Sequence, residues 1–491
     1  MSQNLLEGPI PSGISGISLK YIDLSHNFLS GRVPNDLTSF PELFYLPLSN
    51  NRLKGQIFSK DFTSGTLSFL YLNGNNFEGP LPSNIFLRAF IVLDASNNNF
   101  SGEIPRWIRD NSRLLQLDLS KNHFEGSIPV EICNLKSIVV LAMSENRLSG
   151  TIPSCVSSLP LEHIHLHKNQ LGGGLEYALS NISSLITLDL GYNSFTGSIP
   201  HTIGSHSNLN FLLLNHNQLE GNIPAQICLL NKLSIMDLSF NKIYGSLLPC
   251  WVNLIQTKRD GEIRSVYFMR SSKQAWINFL TWKISAMHYH NRYGFVTDFN
   301  MMNVETQAQF STKRNSYTYK GSILKYMLGI DLSSNRLTGE IPIELGNLSK
   351  IHALNLSHNH LIGRIPESFS YLHEVESLDL SYNSLNESIP VGLLELHPLA
   401  VFSVAFNNEC RSTKLSNTSK NGSDESDLDS MESFYVGFGV SYGAILLGLA
   451  AALCFNPYWR RAWFRLVEAL LMLTSYYFLL DNVVSPLKNW W

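Results

Sequence analysis

Three histidines, His163, His165 and His167, alternate with Ile164 and Leu166. In an extended strand this spacing sets all three imidazoles on one face, and imidazole is the donor from which zinc sites and acid-sensitive contacts are built. A closed zinc site wants four ligands, and no cysteine or carboxylate motif accompanies the three. The cluster therefore reads as an exposed, solvated strand face, with no metal and no cofactor expected. No segment pairs a nucleophile with a general base, so no enzyme is expected. Asn-x-Ser/Thr acceptors stand at Asn99, Asn181, Asn347, Asn355, Asn386, Asn417 and Asn421, as a glycosylated secreted surface would allow.

The elements that carry these residues are set by a second pattern. Asparagines at 4, 27, 51, 75, 98, 122, 146, 169, 193, 217 and 241 recur every 23 or 24 residues, and the series resumes at Asn335, Asn359, Asn383 and Asn407. A fixed period of this length means a solenoid of stacked coils. In Leu117-Asp-Leu-Ser-Lys-Asn122-His-Phe-Glu-Gly-Ser-Ile-Pro129 the leucines alternate, so one strand face points into the coil. The asparagine turns the chain, and its amide can both donate to and accept from backbone groups buried between coils. Glycine and proline then lead to a second extended stretch that proline keeps out of a central sheet, followed by a short convex segment such as 130–135. One coil buries too little to fold alone, whereas stacked copies share a continuous core.

The ladder places the remaining candidates. Cys133 and Cys155, like Cys228 and Cys250, are 22 residues apart and fall eleven and nine residues after successive ladder asparagines. Adjacent coils lie ~4.8 Å apart, within disulfide range. The pairs Cys133–Cys155 and Cys228–Cys250 are expected as staples, with buried free thiols as the alternative. Outward strand positions include Tyr45, Phe69, Tyr71, Val140, Phe211 and Leu213, a set of exposed apolar groups suited to partner contact. Residues 254–325 lack the repeat phrase and carry Trp276, Trp282 and Tyr289; long insertions in solenoids loop out and often bind. Residues 434–455 run without a charge, long enough to cross a bilayer core of ~30 Å as one helix. Acidic residues precede this stretch and Arg460, Arg461 and Arg465 follow it, which orients the repeats outward. Gly439, Gly443, Ala444, Gly448 and Ala452 line possible helix-pairing faces within it. Lys and Arg number 36 against 39 Asp and Glu, and no basic stripe supports nucleic-acid binding.

The phrase LxxLxLxxNxLxGxIP, repeated over 4–253 and 326–408, resembles the plant-specific leucine-rich repeat. The resemblance implies an α/β-type repeat solenoid, a leucine-rich-repeat superhelix with an island insertion and a single transmembrane helix. It implies this layout: repeats 1–253, island 254–325, repeats 326–408, acidic linker 409–433, membrane helix 434–455 and cytoplasmic tail 456–491. No kinase motif follows residue 455, so the chain resembles a receptor-like protein rather than a receptor kinase. The segment 316–327 and the tail 456–464 are similar to the island end and cytosolic border of that family.

From the same resemblance follow the functional expectations. The island and the concave strands would capture an extracellular peptide, protein or glycan, with Tyr45, Phe69, Tyr71, Phe211, Leu213, Trp276, Trp282 and Tyr289 as contacts. The last coils would receive a somatic-embryogenesis-type co-receptor kinase at Lys320, Gly321, Ser333, Ser357 and Ser381. The membrane helix would pair with an adaptor receptor-like kinase. The expected role is a cell-surface pattern-recognition or peptide receptor in plant defence, single-pass type I in the plasma membrane. The alternatives are a developmental peptide receptor, a non-functional truncated paralogue, or an inhibitor of wall-degrading enzymes. The absence of a secretory signal and of an N-terminal cysteine cap suggests an N-terminally truncated sequence.

Overall fold

Alternating leucines make the strands, and the asparagine that follows each strand locks it to its neighbours. The computed structural model describes residues 2–13, 19–58, 66–81, 90–176, 180, 182–250, 307–312, 315–320 and 327–407. Among them, a 13-stranded parallel sheet runs from Tyr45–Pro47 to Val401–Ser403, one three-residue strand per coil. A second, 14-stranded parallel sheet is built from the segments just after the asparagines, from Glu7–Pro9 to Ser384–Leu385. The second extended stretch is thus a full sheet. Proline stays out of its hydrogen bonding in most coils by falling just past the strand end, as Pro129 does after His123–Ser127.

On the opposite side, short 3-10 turns such as Val130–Asn134, Ala225–Leu229 and Glu367–Tyr371 each begin directly after a proline. Proline sets the entry dihedral, and five residues are too few for an α-helix to gain from propagation. Between the layers lies one core of Leu, Ile and Phe side chains, including Phe77, Phe100 and Phe124, whose rings stack 6.2 and 6.3 Å apart. Cys133–Cys155 and Cys228–Cys250 are disulfides with Cα separations of 5.7 and 5.9 Å, joining convex segments of adjacent coils.

From Asn51 to Asn383, each ladder asparagine is a four-bond clasp. Asn122, 5% exposed, donates from Nδ2 to the carbonyls of Leu119 and Ser120 in its own coil and of Ala95 in the preceding one, at 3.0–3.1 Å. Its Oδ1 accepts from the Phe100 N–H at 3.0 Å. The residue just before it, Lys121, has φ 55°, and the equivalent residue is left-handed in the other coils too. That conformation costs roughly 1–2 kcal/mol for a residue with a Cβ, and the clasp offsets it.

The clasp also closes the gap in the repeat. Asn335 reaches back 97 residues to the Leu238 carbonyl at 2.9 Å and receives the Ile243 N–H at 3.0 Å. Ile235, Met236 and Asp237 pair in register with Gly329, Ile330 and Asp331. The coil after the insertion therefore stacks directly on the coil before it. Within the insertion, Gln307–Thr312 and Asn315–Lys320 form an antiparallel hairpin. No helix among the described residues is long and apolar enough to cross a membrane; the expected span 434–455 and the tail lie outside those residues.

Asn122→Ala leaves the buried Phe100 N–H without its partner and takes one of two hydrogen bonds from each of the Ala95, Leu119 and Ser120 carbonyls, and is expected to cost about 2 kcal/mol. Urea unfolding with amide exchange at Phe100 checks this; a loss below about 0.5 kcal/mol would dismiss the clasp.

Candidate functional site

The 13-stranded sheet presents rows of side chains, because parallel pairing sets the same strand position of each coil beside the next. One row runs Tyr45, Phe69, Val92, Gln116, Val140, His163, Thr187, Phe211, Ile235. The next runs Pro47, Tyr71, Asp94, Asp118, Ala142, His165, Asp189, Leu213, Asp237, Asp331. Serines two residues beyond the aspartates cap them: Ser96 donates its N–H and hydroxyl to Asp94 Oδ1 at 3.0 and 2.7 Å, and Ser239 does the same for Asp237.

Burial corrects several sequence expectations. Phe69, Val140, Phe211 and Leu213 are buried, not exposed, and only Tyr45 and Tyr71 keep partial exposure. Strands ~4.8 Å apart press each row's side chains against their neighbours; Phe211, Leu213, Ile235 and Ala353 form a small apolar cluster of their own. Ser333, Ser357 and Ser381 are also buried. The Ser357 and Ser381 hydroxyls bond Asn355 and Asp379 at 2.8 and 2.6 Å, and the Ser333 N–H bonds Asp331, so these serines brace strand ends and offer little to a partner. Asn355 donates from Nδ2 to Asp331 and accepts from Ser357, which occupies the atom a glycan would need. Asn99, Asn347 and Asn386 are exposed. Trp276, Trp282, Tyr289, Gly321, Gly439, Gly443, Ala444, Gly448, Ala452, Asn181, Asn417 and Asn421 lie outside the described residues, and of Lys320 only the backbone strand is described.

The histidines are not a solvated face. His163 and His165 are 3% and 6% exposed, with parallel rings 6.2 Å apart, and His163 Nδ1 meets the Thr187 hydroxyl at 3.0 Å. His167 Nδ1 lies 2.7 Å from Asp189 Oδ2 and its Nε2 lies 3.7 Å from Glu145, which also faces Lys121 and Lys168 at 3.8 Å. Among the described residues no group of three His, Cys, Asp or Glu side chains is placed to hold a metal. Burial works against charge on His167, yet the Asp189 carboxylate and the bonds to Asp189 and Glu145 push it up to about 9. Burial alone would raise Asp189; the His167 charge 2.7 Å away, with the His165 imidazole at 3.8 Å, holds it well below the usual range. The bond from His167 brings Glu145 down to about 2 against its burial. Where no cation intervenes the sign reverses. Burial and the adjacent Asp118 push Asp94 up to about 7, and burial raises Asp331 to about 6.

At the first coils the rows open into a cleft of about 240 Å³ lined by Tyr45, Pro47, Tyr71, Asp94 and Gln116 with Ser25, His26, Ser49, Asn50 and Asn73. The Tyr45 and Tyr71 rings stand 5.9 Å apart at 62°. Sequence reading missed a further row on the edge of the sheet. The left-handed residue before each asparagine is Tyr192, His216 and Phe240 in three successive coils, and His358, Tyr382 and Phe406 in the last three. Their rings contact at 4.0–4.3 Å, and Phe240, Tyr382 and Phe406 are exposed. The signal was present one residue before each ladder asparagine.

Comparison with known proteins accords with this geometry. The family model Leucine Rich Repeat matches residues 18–40, 66–86, 90–111, 113–135, 184–206, 329–348, 350–372 and 374–396. Cuscuta receptor 1 of Solanum lycopersicum is 64% identical over 97% of this chain, which spans 46% of that protein. Receptor-like protein 13 of Arabidopsis thaliana is 45% identical over 36% of this chain and 20% of its own length. The chain thus spans less than half the length of either relative. Among solved structures, the ectodomain of the Arabidopsis receptor kinase HAESA in complex with an extended IDA peptide hormone superposes with a TM-score of 0.65, at 28% identity over 83% of this chain and 57% of that one.

The shifted groups set a pH profile. His167 moves from 6.5 to about 9, so its stabilisation is complete below pH 6.5 and is lost as pH rises through about 9. Glu145 moves from 4.5 to about 2 and contributes above 4.5, losing its contribution as pH falls toward 2. Asp94, raised from 3.8 to about 7, stabilises below 3.8 and loses that contribution as pH rises through about 7. Thermal unfolding is therefore expected to peak at mildly acidic pH, roughly 4.5 to 6. His167→Gln should flatten the limb between 6.5 and about 9; an unchanged alkaline limb in that variant rejects the assignment.

Proposed function

The chain belongs to the plant leucine-rich-repeat receptor-like proteins, and from that premise we propose that it is the ligand-facing part of a cell-surface receptor for an extracellular peptide. The observation that carries this reading is the sheet whose rows change character coil by coil, from aromatic and acidic at the first coils to apolar at Phe211 and Leu213. A peptide laid along such a sheet meets a different side-chain environment every ~4.8 Å, which is how an extended ligand is read in sequence. The likeness to a peptide-bound hormone receptor ectodomain supports it.

Residues 434–455 are proposed as the membrane span, with Gly439, Gly443, Ala444, Gly448 and Ala452 pairing it with an adaptor receptor-like kinase. The chain would then act without catalysis of its own, borrowing kinases. For a co-receptor kinase, the exposed edge of Tyr382 and Phe406 replaces the buried serines as the docking surface, since aromatic anchors dominate interface energetics. Defence is the proposed context, as the family resemblance implies and the likeness to Cuscuta receptor 1 supports; developmental signalling is the second reading, given the likeness to a receptor kinase ectodomain in complex with a peptide hormone.

Co-precipitation of the tagged chain from plant membranes, with and without microbial or Cuscuta extract, is expected to recover receptor kinases. Tyr382→Ala with Phe406→Ala should lower ligand-dependent recovery about tenfold, as loss of two anchors implies. Recovery of no kinase under any condition would remove the receptor reading.

A further inference from the structure

The cleft at the first coils has a chemistry that the peptide-receptor reading leaves open. At about 240 Å³ it accommodates one side-chain head and little more. Tyr45 and Tyr71 supply two ring faces, which carry negative quadrupole charge toward any group placed over them. Asp94 supplies a carboxylate. Its Oδ1 is bonded by Ser96, while Oδ2 has no hydrogen-bond partner among the described residues. Asp118 stands beside it in register on the next strand, and Asp23 acts on Tyr45 from the other side.

Two features are unexplained by the fold alone. Gln116 is only 8% exposed and lines the cleft, yet its carboxamide makes no hydrogen bond among the described residues. Its amide atoms open onto the cleft, so an entering donor can reach the carboxamide oxygen. The second feature is that neither Lys nor Arg is among the residues lining the cleft. Four coils further on, the equivalent aspartate, Asp189, has an internal cation in His167; Asp94 has none. Burial, and after it the like charge of Asp118, hold Asp94 ready to take up a proton near neutrality, the response of a carboxylate lacking a counter-ion.

Resting on the peptide-receptor reading and narrowing it, we infer that this cleft takes the guanidinium of an arginine on the extracellular peptide, laid against the Tyr45–Tyr71 ring pair, with Asp94 and Gln116 as its acceptors. A guanidinium suits all three components. It stacks on aromatic faces, is weakly hydrated, and presents several N–H donors in a planar fork. An ammonium could use the carboxylate but would lose more hydration and match the flat walls less well.

The test uses the purified full-length chain and small probes, titrated by ligand-observed NMR: Nα-acetyl-arginine methylamide, its lysine and citrulline counterparts, and spermidine. The arginine probe is expected to bind about tenfold more tightly than citrulline, the effect of one charge-assisted bond, and more tightly than lysine. Asp94→Asn should abolish the arginine preference, and Gln116→Leu should weaken arginine binding several-fold. The probe comparison on the unaltered chain needs no variant to fold. Equal affinity for arginine and citrulline overturns the assignment, as does a preference that survives Asp94→Asn. Spermidine binding more tightly than the arginine probe would overturn the peptide source in favour of free polyamines. An intact arginine preference beside failed kinase recovery would sink the receptor reading and leave the cleft standing; the reverse would sink the cleft alone.

Discussion

Everything in this molecule hangs on a single side-chain amide repeated coil after coil. The ladder asparagine holds an N–H that would otherwise be buried without a partner, and gives a second hydrogen bond to three carbonyls at the point where the chain turns off the three-residue strand. Two of those four bonds go to the preceding coil, so the group that shapes each turn also fixes the stacking. Asparagine alone among short side chains offers a double donor and an acceptor at once. The left-handed residue before it is tolerated because the clasp holds the turn, and its side chain is thereby thrown to the edge of the sheet. The exposed aromatic row at Phe240, Tyr382 and Phe406 is a by-product of that geometry.

Because the clasp acts between coils, a long insertion need not disturb the stack. Asn335 bonds Leu238 as Asn241 bonds Leu214, at 2.9 and 3.0 Å, although the first pair is 97 residues apart and the second 27. The insertion leaves and returns between two coils that remain neighbours. Rows on the concave sheet run on through Asp237 and Asp331 without a step, and a ligand lying along the sheet meets one surface rather than two.

Those rows give the surface its electrostatic character. Parallel pairing sets identical positions side by side, so repeated aspartates fall next to one another and raise one another's proton affinity, as at Asp94 and Asp118 or Asp237 and Asp331. Where the sequence inserts a histidine coil, the same row becomes an ion-paired knot: His167 is charged between Asp189 and Glu145, while burial and the neighbouring His165 push His163 down to about 3. Three histidines within five residues thus take at least two different protonation behaviours. At the first coils, where no internal cation stands beside the carboxylates, the aromatic cleft opens.

The period of the asparagines, the alternation of leucines and the phase of the cysteines are local and repetitive, and they determined by themselves the solenoid, its inward and outward faces and which cysteines lie on adjacent coils. These follow from spacing along one strand and one turn, which any reader of the chain can count. Exposure did not follow. Phe211, Leu213 and the histidines face outward as their spacing says, yet they are buried because side chains on neighbouring strands cover them, and that depends on which residues stand beside them one coil away. The serines chosen for a partner, and Asn355, were likewise committed to bonds with the aspartates and asparagines two residues or one coil distant. Only the tertiary stacking decided which polar groups are spent on the fold and which, like Gln116 and Asp94 in the first cleft, are left to meet something else.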